Sequence, residues 1–208
     1  MMSMRRYRSL IALLGFLVPV LAFARIAPST PPDVIVHLKT NQILHLIEHK
    51  RSVYQHDRPA LYAMVNQRIV PYFDFRRMSR WVLARYWRTA TPQQRAGFTK
   101  QFTALMVRTY ATALLSYSGQ RIDYLPYRVN PHSRHAMVKT LIVENNGGSN
   151  IPVDYMFVHE KAGWKVYDVM IDGVSLVTNY RSVYATKIQR DGLNSLIASM
   201  KRANGAKS

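Results

Sequence analysis

Cysteine is absent from this chain of 208 residues, and acidic residues are scarce, with 11 Asp and Glu against 29 Lys and Arg. The lack of cysteine excludes disulfides, so stability has to come from the burial of apolar side chains, which make up 48% of the chain. The lack of acidic residues leaves a formal net charge of +18 at pH 7, which favours anionic partners. Beyond residue 25 no apolar run is long enough to cross a bilayer.

The first 24 residues are predicted to be an export signal. Three arginines, Arg5, Arg6 and Arg8, precede an apolar run at 10–24 that ends in Ala-Phe-Ala, the small-x-small pattern that signal peptidase cleaves. An uncleaved N-terminal anchor is the alternative. Because no cysteine follows the run, the usual lipid-accepting residue of a lipoprotein is missing. We therefore expect cleavage near Ala24 and a soluble, exported mature chain.

The basic residues occur as scattered pairs and not as long runs. Pairs such as Arg76-Arg77 and Lys201-Arg202 stand among apolar residues, which is typical of solvated faces and not of a groove that follows a phosphate backbone. Without the three arginines of the signal the mature chain carries a net charge of +15. We expect no nucleic-acid partner, because an exported chain meets anionic lipid head groups, lipopolysaccharide and acidic protein surfaces instead.

Apolar periodicity predicts helices in the first and last parts of the chain. The clearest start is at Thr91, because Pro92 then takes the first helical position and Gln94 completes a capping box. Asp33 is the predicted N-cap of the first helix. The predicted helices span 33–55, 58–67, a short segment ending near 86, 92–117, a segment from 174 to about 190, and 192–201.

Between these helices the apolar period changes to the alternation that is typical of strands. Four strands are predicted at 122–129, 136–144, 151–160 and 164–171, joined by short turns. Consecutive strands joined this way form an antiparallel sheet. The fold class is therefore predicted to be α+β, an antiparallel sheet of about four strands packed against the long helix, with additional N- and C-terminal helices. Residues 203–208 are predicted to be a disordered tail.

Catalytic and metal-binding patterns are few. The chain has no G-x-S-x-G, H-E-x-x-H, P-loop or G-x-G-x-x-G sequence. His45 and His49 share one helix face, but a solvated pair is the favoured interpretation, and His132 and His135 are predicted to lie at the surface. The carboxylates best placed for acid or base chemistry are those of three aspartates near strand ends. These are Asp154, Asp168 and Asp172.

For the three aspartates a structural role is favoured, because Asp172 fits a turn that ends a strand and Asp168 is well placed to accept backbone hydrogen bonds. We therefore predict no catalytic residue, no metal and no enzymatic activity. The bulky apolar faces of the long helix and of the strands are compatible with a lipid cavity. The apolar pattern alone is equally compatible with a well-filled core.

Four segments carry a resemblance to a known family. The longest is 163–182, GWKVYDVMIDGVSLVTNYRS, and the others are 91–95 (TPQQR) with Phe98, Phe102 and 109–111, then 70–75 (VPYFDF) with Met78, and 191–193 (DGL) with Leu196 and Ile197. Together they closely resemble the MlaC family, also called the toluene-tolerance auxiliary-component family, over nearly all of the mature chain. The resemblance implies one domain at 25–202.

The resemblance implies a sheet similar to that of nuclear-transport-factor-2-like proteins, with extra helices. It also implies a periplasmic carrier of glycerophospholipid, a monomer, that passes lipid between an outer-membrane lipoprotein and porin complex and an inner-membrane ABC transporter with its MCE-domain subunit. The carrier would maintain the lipid asymmetry of the outer membrane. No cofactor is implied other than phospholipid as cargo.

The resemblance further implies lipid-binding walls on the long helix, the third strand and the fourth strand. They are Phe98, Phe102, Leu105, Tyr110, Val153, Tyr155, Phe157, Val166, Val169, Ile171, Val174 and Val177. Two alternatives stay open, a small lipid- or steroid-directed enzyme on the same type of fold and a purely protein-binding periplasmic module.

Overall fold

The structure is a computed structural model that describes residues 29–128, 130, 132–145 and 147–205. The predicted signal peptide lies outside the described residues. The helices are α1 (Pro32–His56), α2 (Arg58–Arg68), α3 (Phe75–Leu83), α4 (Arg85–Thr89), α5 (Pro92–Leu114) and α6 (Leu176–Gly205), with a 3-10 turn at Val70–Tyr72. The strands are β1 (Arg121–Tyr124), β2 (His135–Val143), β3 (Ile151–Glu160), β4 (Gly163–Ile171) and β5 (Val174–Ser175).

The strands form one antiparallel sheet in the order β1-β2-β3-β4-β5, which confirms the predicted α+β class. The fifth strand was not predicted, because two residues are too few to show an alternation. It forms because Asp172 and Gly173 both take positive φ, 50° and 75°, and such a pair folds the chain back tightly. Val174 consequently pairs with Ile171 at the edge of the sheet.

Of the two predicted helix N-caps, one is confirmed and the other is wrong. At the start of α5 the Gln94 amide donates to the Thr91 hydroxyl (3.1 Å) and the Thr91 amide donates to the Gln94 side chain (2.9 Å), which confirms the capping box. The prediction of Asp33 as an N-cap is wrong, because α1 begins at Pro32 and its N-cap is Pro31. Proline suits the first helical position, so Asp33 lies within the first turn instead.

The C-terminal part of the chain follows the prediction and extends beyond it. The two predicted helices are the two parts of α6, which meet at Gly192, whose φ of 80° and ψ of 161° are not helical. The helix runs through Gly205, three residues into the segment for which we expected disorder, and Asn204 donates from Nδ2 to the Gln101 carbonyl at 3.0 Å. Among the described helices none combines the length and apolarity that crossing a membrane requires.

The described residues form three apolar clusters. The helix cluster lies between α3, α5 and α6, and its buried members are Met78, Val82, Leu83, Trp87, Phe98, Phe102, Met106, Val177, Tyr184, Ile188, Leu196 and Met200. The α1–α2 cluster joins α1 and α2 to the second half of α5 around Ile47 and Leu61. The sheet cluster has the buried members Val36, Val138, Val153, Phe157, Val166, Val169 and Leu176.

The segment before α3 attaches the helical part to the sheet. Phe73 forms an isolated parallel bridge with Val166, and the Asp74 amide donates to the Val166 carbonyl at 2.8 Å. Lys165 donates from Nζ to the Pro71 carbonyl at 2.6 Å. Residues 71–74 therefore pair with the middle of β4 along the edge opposite β3. This contact fixes the sheet against the helices.

Candidate functional site

The sheet cluster is built from one face of three neighbouring strands. The cross-strand pairs Thr140–Val153, Val138–Tyr155 and Tyr155–Val169 put the alternating residues of β2, β3 and β4 on this face. The pairs in between, such as Lys139–Asp154, point to the opposite face, where the two side chains lie 3.9 Å apart. The inner face of the sheet is therefore apolar and the outer face is partly charged.

A bulge in β4 explains why two valines three positions apart share the inner face. Met156 pairs with Asp168 while the next residue of β3, Phe157, pairs with Val166, so Tyr167 is the extra residue of β4. An extra residue reverses the alternation of a strand beyond that point. Val166 and Val169 consequently both lie in the sheet cluster.

The inner face is covered by parts of several helices and loops. Val36 from the first turns of α1 lies in the sheet cluster, and Phe73, Tyr110 of α5 and Tyr127 pack against it. Phe73 and Tyr110 also pack against the helix cluster. These two aromatic residues thus form the boundary between the two clusters.

Tyrosines give this apolar site its polar groups. Burial raises the pKa of Tyr155 to about 12, although a hydrogen bond with Thr140 opposes the shift, and burial raises the pKa of Tyr110 to about 12 as well. Burial is also the main cause of the raised pKa of Tyr124. The phenols are therefore uncharged at neutral pH and suit an apolar ligand that carries a few hydrogen-bonding groups.

The structure divides the predicted wall residues between two places. Six lie in the sheet cluster or against it: Val153, Tyr155, Phe157, Val166, Val169 and Ile171. Four lie in the helix cluster or against it: Phe98, Phe102, Leu105 and Val177. Tyr110 contacts both clusters, whereas Val174 on the edge strand is 54% exposed.

Sequence reasoning missed part of the inner face. On β2 the residues Ala136, Val138 and Ile142 contribute to the sheet cluster, and their spacing of two was visible in the predicted strand. Val36 on α1 and Leu176 at the start of α6 also belong to the cluster. No local signal identifies these last two, because their position depends on where the helices pack.

The candidate carboxylates lie away from the inner face. Asp168 is buried, and its Oδ1 accepts from the amides of Val169 (2.8 Å) and Val177 (3.1 Å) while its Oδ2 accepts from the Ser175 hydroxyl (2.5 Å). Asp172 is exposed in the turn before β5. Asp168 thus ties β4 to β5 and to the start of α6, which agrees with the structural role favoured from the sequence.

The histidines form no site in the part of the chain that the structure describes. The rings of His45 and His49 lie 3.9 Å apart, both exposed, and His132 and His135 are exposed as predicted. The described residues hold no group of three or more His, Asp or Glu side chains that could bind a metal ion. The sheet cluster is therefore the candidate site, and its lining is mainly apolar.

Comparison with known proteins agrees with the α+β class of this chain. Residues 38–202 match the model of the MlaC protein family, so the chain belongs to the MlaC family. It is 29% identical over 181 residues to the toluene tolerance protein ttg2D of Pseudomonas putida, covering 86% of this chain and 83% of that protein.

Two further relatives carry more specific descriptions. The intermembrane phospholipid transport system binding protein MlaC of Haemophilus influenzae is 26% identical over 176 residues, covering 84% of this chain and 82% of that protein. A phospholipid-binding protein from Ralstonia solanacearum, solved in complex with a phospholipid, superposes with a TM-score of 0.76 at 29% identity. That alignment covers 85% of this chain and 98% of the Ralstonia chain.

Proposed function

We propose that this protein is a periplasmic phospholipid carrier that holds acyl chains against the sheet cluster and performs no covalent chemistry on them. The observation that carries the proposal is the inner face of the sheet, which is apolar across β2, β3 and β4 and includes the neutral phenol of Tyr155. The Ralstonia relative of the same fold was solved with a phospholipid. Membership of the MlaC family supports the same function.

The proposed wall is confined to the sheet cluster and Tyr110. Phe98 and Phe102 belong to the cluster between α3, α5 and α6 and not to the face of the sheet, so an acyl chain on the sheet would reach them only if the helix cluster opened. Val174 is too exposed to shield a chain from water. The two aromatic boundary residues, Phe73 and Tyr110, would then form the inner end of the site.

The proposed mechanism is passive extraction. An apolar site replaces the bilayer as the solvent of the acyl chains, and each methylene kept from water contributes about 0.8 kcal/mol. Because bilayer and site are both apolar, transfer between them is close to balanced and has no direction of its own. Direction would come from an energy-consuming partner.

We place the carrier between an outer-membrane lipoprotein and porin complex and an inner-membrane ABC transporter with its MCE-domain subunit. The description of the Haemophilus relative as part of an intermembrane transport system supports this route. The predicted signal at residues 1–24 supports export to the periplasm. On this proposal the cell uses the protein to maintain the lipid asymmetry of its outer membrane.

The test is mass spectrometry of organic extracts from protein purified out of the periplasm without detergent. Wild-type protein should carry glycerophospholipid in near-stoichiometric amount. Val169→Glu, which puts a carboxylate into the sheet cluster, should carry at least about tenfold less, because an unpaired charge in an apolar site is costly. Circular dichroism and thermal unfolding would establish that the variant is folded.

Val174→Glu is the matched control, since it makes the same exchange three residues beyond the end of β4 at an exposed position. It should retain the lipid content of the wild type. Equal lipid in folded Val169→Glu would refute the wall assignment. A wild-type protein that is empty and also takes no lipid from liposomes would refute carriage itself.

A further inference from the structure

A groove of about 550 Å³ lies on the helical side of the molecule, where α3, α4, α5 and α6 meet. Its lining residues are Arg80, Trp81, Ala84, Trp87, Arg88, Arg95 and Arg181. None of these residues belongs to the sheet cluster. The groove is therefore a second concave feature, separate from the proposed lipid site.

Four helices each contribute one arginine to this groove. Arg95 donates from Nε to the Trp87 carbonyl (2.9 Å) and from Nη2 to the Arg88 carbonyl (3.2 Å), and Arg181 donates from Nε to the Trp81 carbonyl (2.8 Å). Backbone acceptors thus hold two guanidinium groups in place and leave their charges uncompensated. In the described part of the chain no carboxylate forms an ion pair with any of the four arginines.

The backbone that brings the arginines together is strained. Ala84 separates α3 from α4 with φ 48° and ψ −116°, a conformation that favours glycine because the Cβ atom is crowded. Arg80 and Trp81 precede this turn, Trp87 and Arg88 follow it, and all four residues line the groove. Strain of this kind persists where the surrounding structure imposes it, and it is concentrated at functional sites.

The tryptophans make the groove walls rigid. Trp87 is buried in the helix cluster, with the Arg95 guanidinium carbon 5.5 Å from its ring centroid. Trp81 packs edge-on against Tyr167, the bulged residue of β4, at 4.8 Å between ring centroids. Both indoles are therefore held by packing, and two of the four arginines by backbone hydrogen bonds, before any ligand arrives.

We infer that this arginine groove is an anion site that binds a phosphate group. Four like charges gathered without a counterion repel one another, and a bound anion would remove that cost. A phosphate offers several acceptor oxygens and up to two negative charges, so more than one guanidinium fork can donate to it at once. A single carboxylate would leave most of the four charges uncompensated. The inference does not depend on lipid carriage by the sheet cluster.

Tryptophan fluorescence provides a direct readout, because two of the three tryptophans of the chain line the groove. Wild-type protein would be titrated with inorganic pyrophosphate, with glycerol 3-phosphate, with phosphatidylglycerol vesicles, and with sodium chloride at matched ionic strength. We expect a saturable change with the two soluble phosphates that chloride does not reproduce. A saturable change with vesicles alone, if Arg80→Gln weakens it, would keep the phosphate chemistry and assign its source to lipid head groups. Because Trp164 packs against the sheet cluster, a vesicle response that Arg80→Gln leaves intact would report lipid at the sheet and would overturn the inference.

Arg80→Gln tests whether the groove is responsible. It removes a groove charge that makes no hydrogen bond to the described residues, so it should leave thermal unfolding unchanged and weaken phosphate binding about tenfold or more. Arg76→Gln is the matched control, since it removes an exposed arginine from the same helix outside the groove. Arg76→Gln should bind as the wild type does.

Three further results would overturn the inference. Equal weakening by Arg76→Gln and Arg80→Gln would mean that net charge, and not the groove, attracts the anion. A response to chloride as large as the response to pyrophosphate would mean general screening. A response to a hexaglutamate peptide with none to any phosphate would assign the groove to acidic protein segments.

Discussion

The helix cluster and the sheet cluster are both apolar and rich in aromatic residues, yet they differ in how completely they are closed. In the helix cluster the rings of Phe98 and Phe102 stack at 5.7 Å, and Tyr184 meets Phe98 edge-on at 5.8 Å, all inside a layer of three helices. In the sheet cluster many contributors, such as Tyr155 and Ile171, are only partly buried. The two clusters are therefore built from the same residue types and differ in how far their members are buried.

The difference follows from the geometry of the elements. Helices α3, α5 and α6 pack directly against one another, so their buried side chains form one continuous cluster. The inner face of the sheet is covered by the start of α1, by Tyr110 near the end of α5 and by loop residues such as Tyr127. A cover assembled from separate pieces can move apart more easily than three packed helices, which suits the uptake of a ligand.

The largest effect is expected when one fully buried phenylalanine is replaced in each cluster. Phe98→Ala and Phe157→Ala both remove a ring of 0% exposure, and each should lower the free energy of unfolding by about 3–5 kcal/mol. Thermal unfolding with and without added phospholipid then measures how much the lipid stabilises each variant. Lipid should stabilise Phe98→Ala as much as it stabilises the wild type, and should stabilise Phe157→Ala less.

The pair of variants serves as its own control, because both lose the same side chain. If lipid stabilised the two variants equally, the sheet cluster would have no special role in lipid binding. If Phe98→Ala alone lost the stabilisation, the wall would lie on the helix side.

A smaller effect is expected at the joint between the two regions. Asp168→Asn weakens the hydrogen bonds that tie β4 to Ser175 and to the start of α6, and should cost about 2 kcal/mol, because hydrogen bonds to charged groups contribute more than neutral ones. Denaturant unfolding measures the loss. Asp172→Asn changes an exposed residue in the adjacent turn, and asparagine tolerates the positive φ of this position. This variant should leave the free energy of unfolding nearly unchanged.

Asp168→Asn should also keep its lipid content, since the carboxylate lies off the inner face. Loss of lipid or of a turnover in a folded Asp168→Asn protein, with Asp172→Asn unaffected, would contradict the structural role and favour the enzyme alternative.

The smallest expected effect concerns the pH dependence of the sheet cluster. The pKa of Tyr155 is about 12 in the folded protein against an ordinary value of 10, so above pH 10 the unfolded chain releases its proton first and stability falls as pH rises towards 12. At pH 11 the wild type should have lost about 1 kcal/mol more than Tyr155→Phe. Urea unfolding at pH 8 and pH 11 measures the free energy of unfolding of both proteins.

At pH 8 ionisation of Tyr155 should not lower the stability of the wild type, because the phenol is neutral in the folded and in the unfolded chain. An identical decline of the wild type and Tyr155→Phe between the two pH values would mean that Tyr155 is not in an apolar environment in solution.

Several local features could be predicted from the sequence because neighbouring residues determine them. The capping box at Thr91 and Gln94 and the span of β3 depend on a few adjacent side chains and on an alternation of ten residues. The two-residue strand β5 was not readable, since it exists only because β4 lies beside it. Val36 and Leu176 were missed in the candidate site for the same reason.

The sequence by itself determined the α+β class, most helix and strand positions, and membership of the MlaC family, because periodicity, caps and a long shared motif are properties of consecutive residues. It also determined that the faces of α5 and β3 would be buried. Only the tertiary structure decided what covers each face: α3 and α6 over Phe98, and the pieces around Tyr110 over Val153. The physical reason is that hydrophobic burial has no direction, so an apolar pattern requires a partner surface without specifying which one.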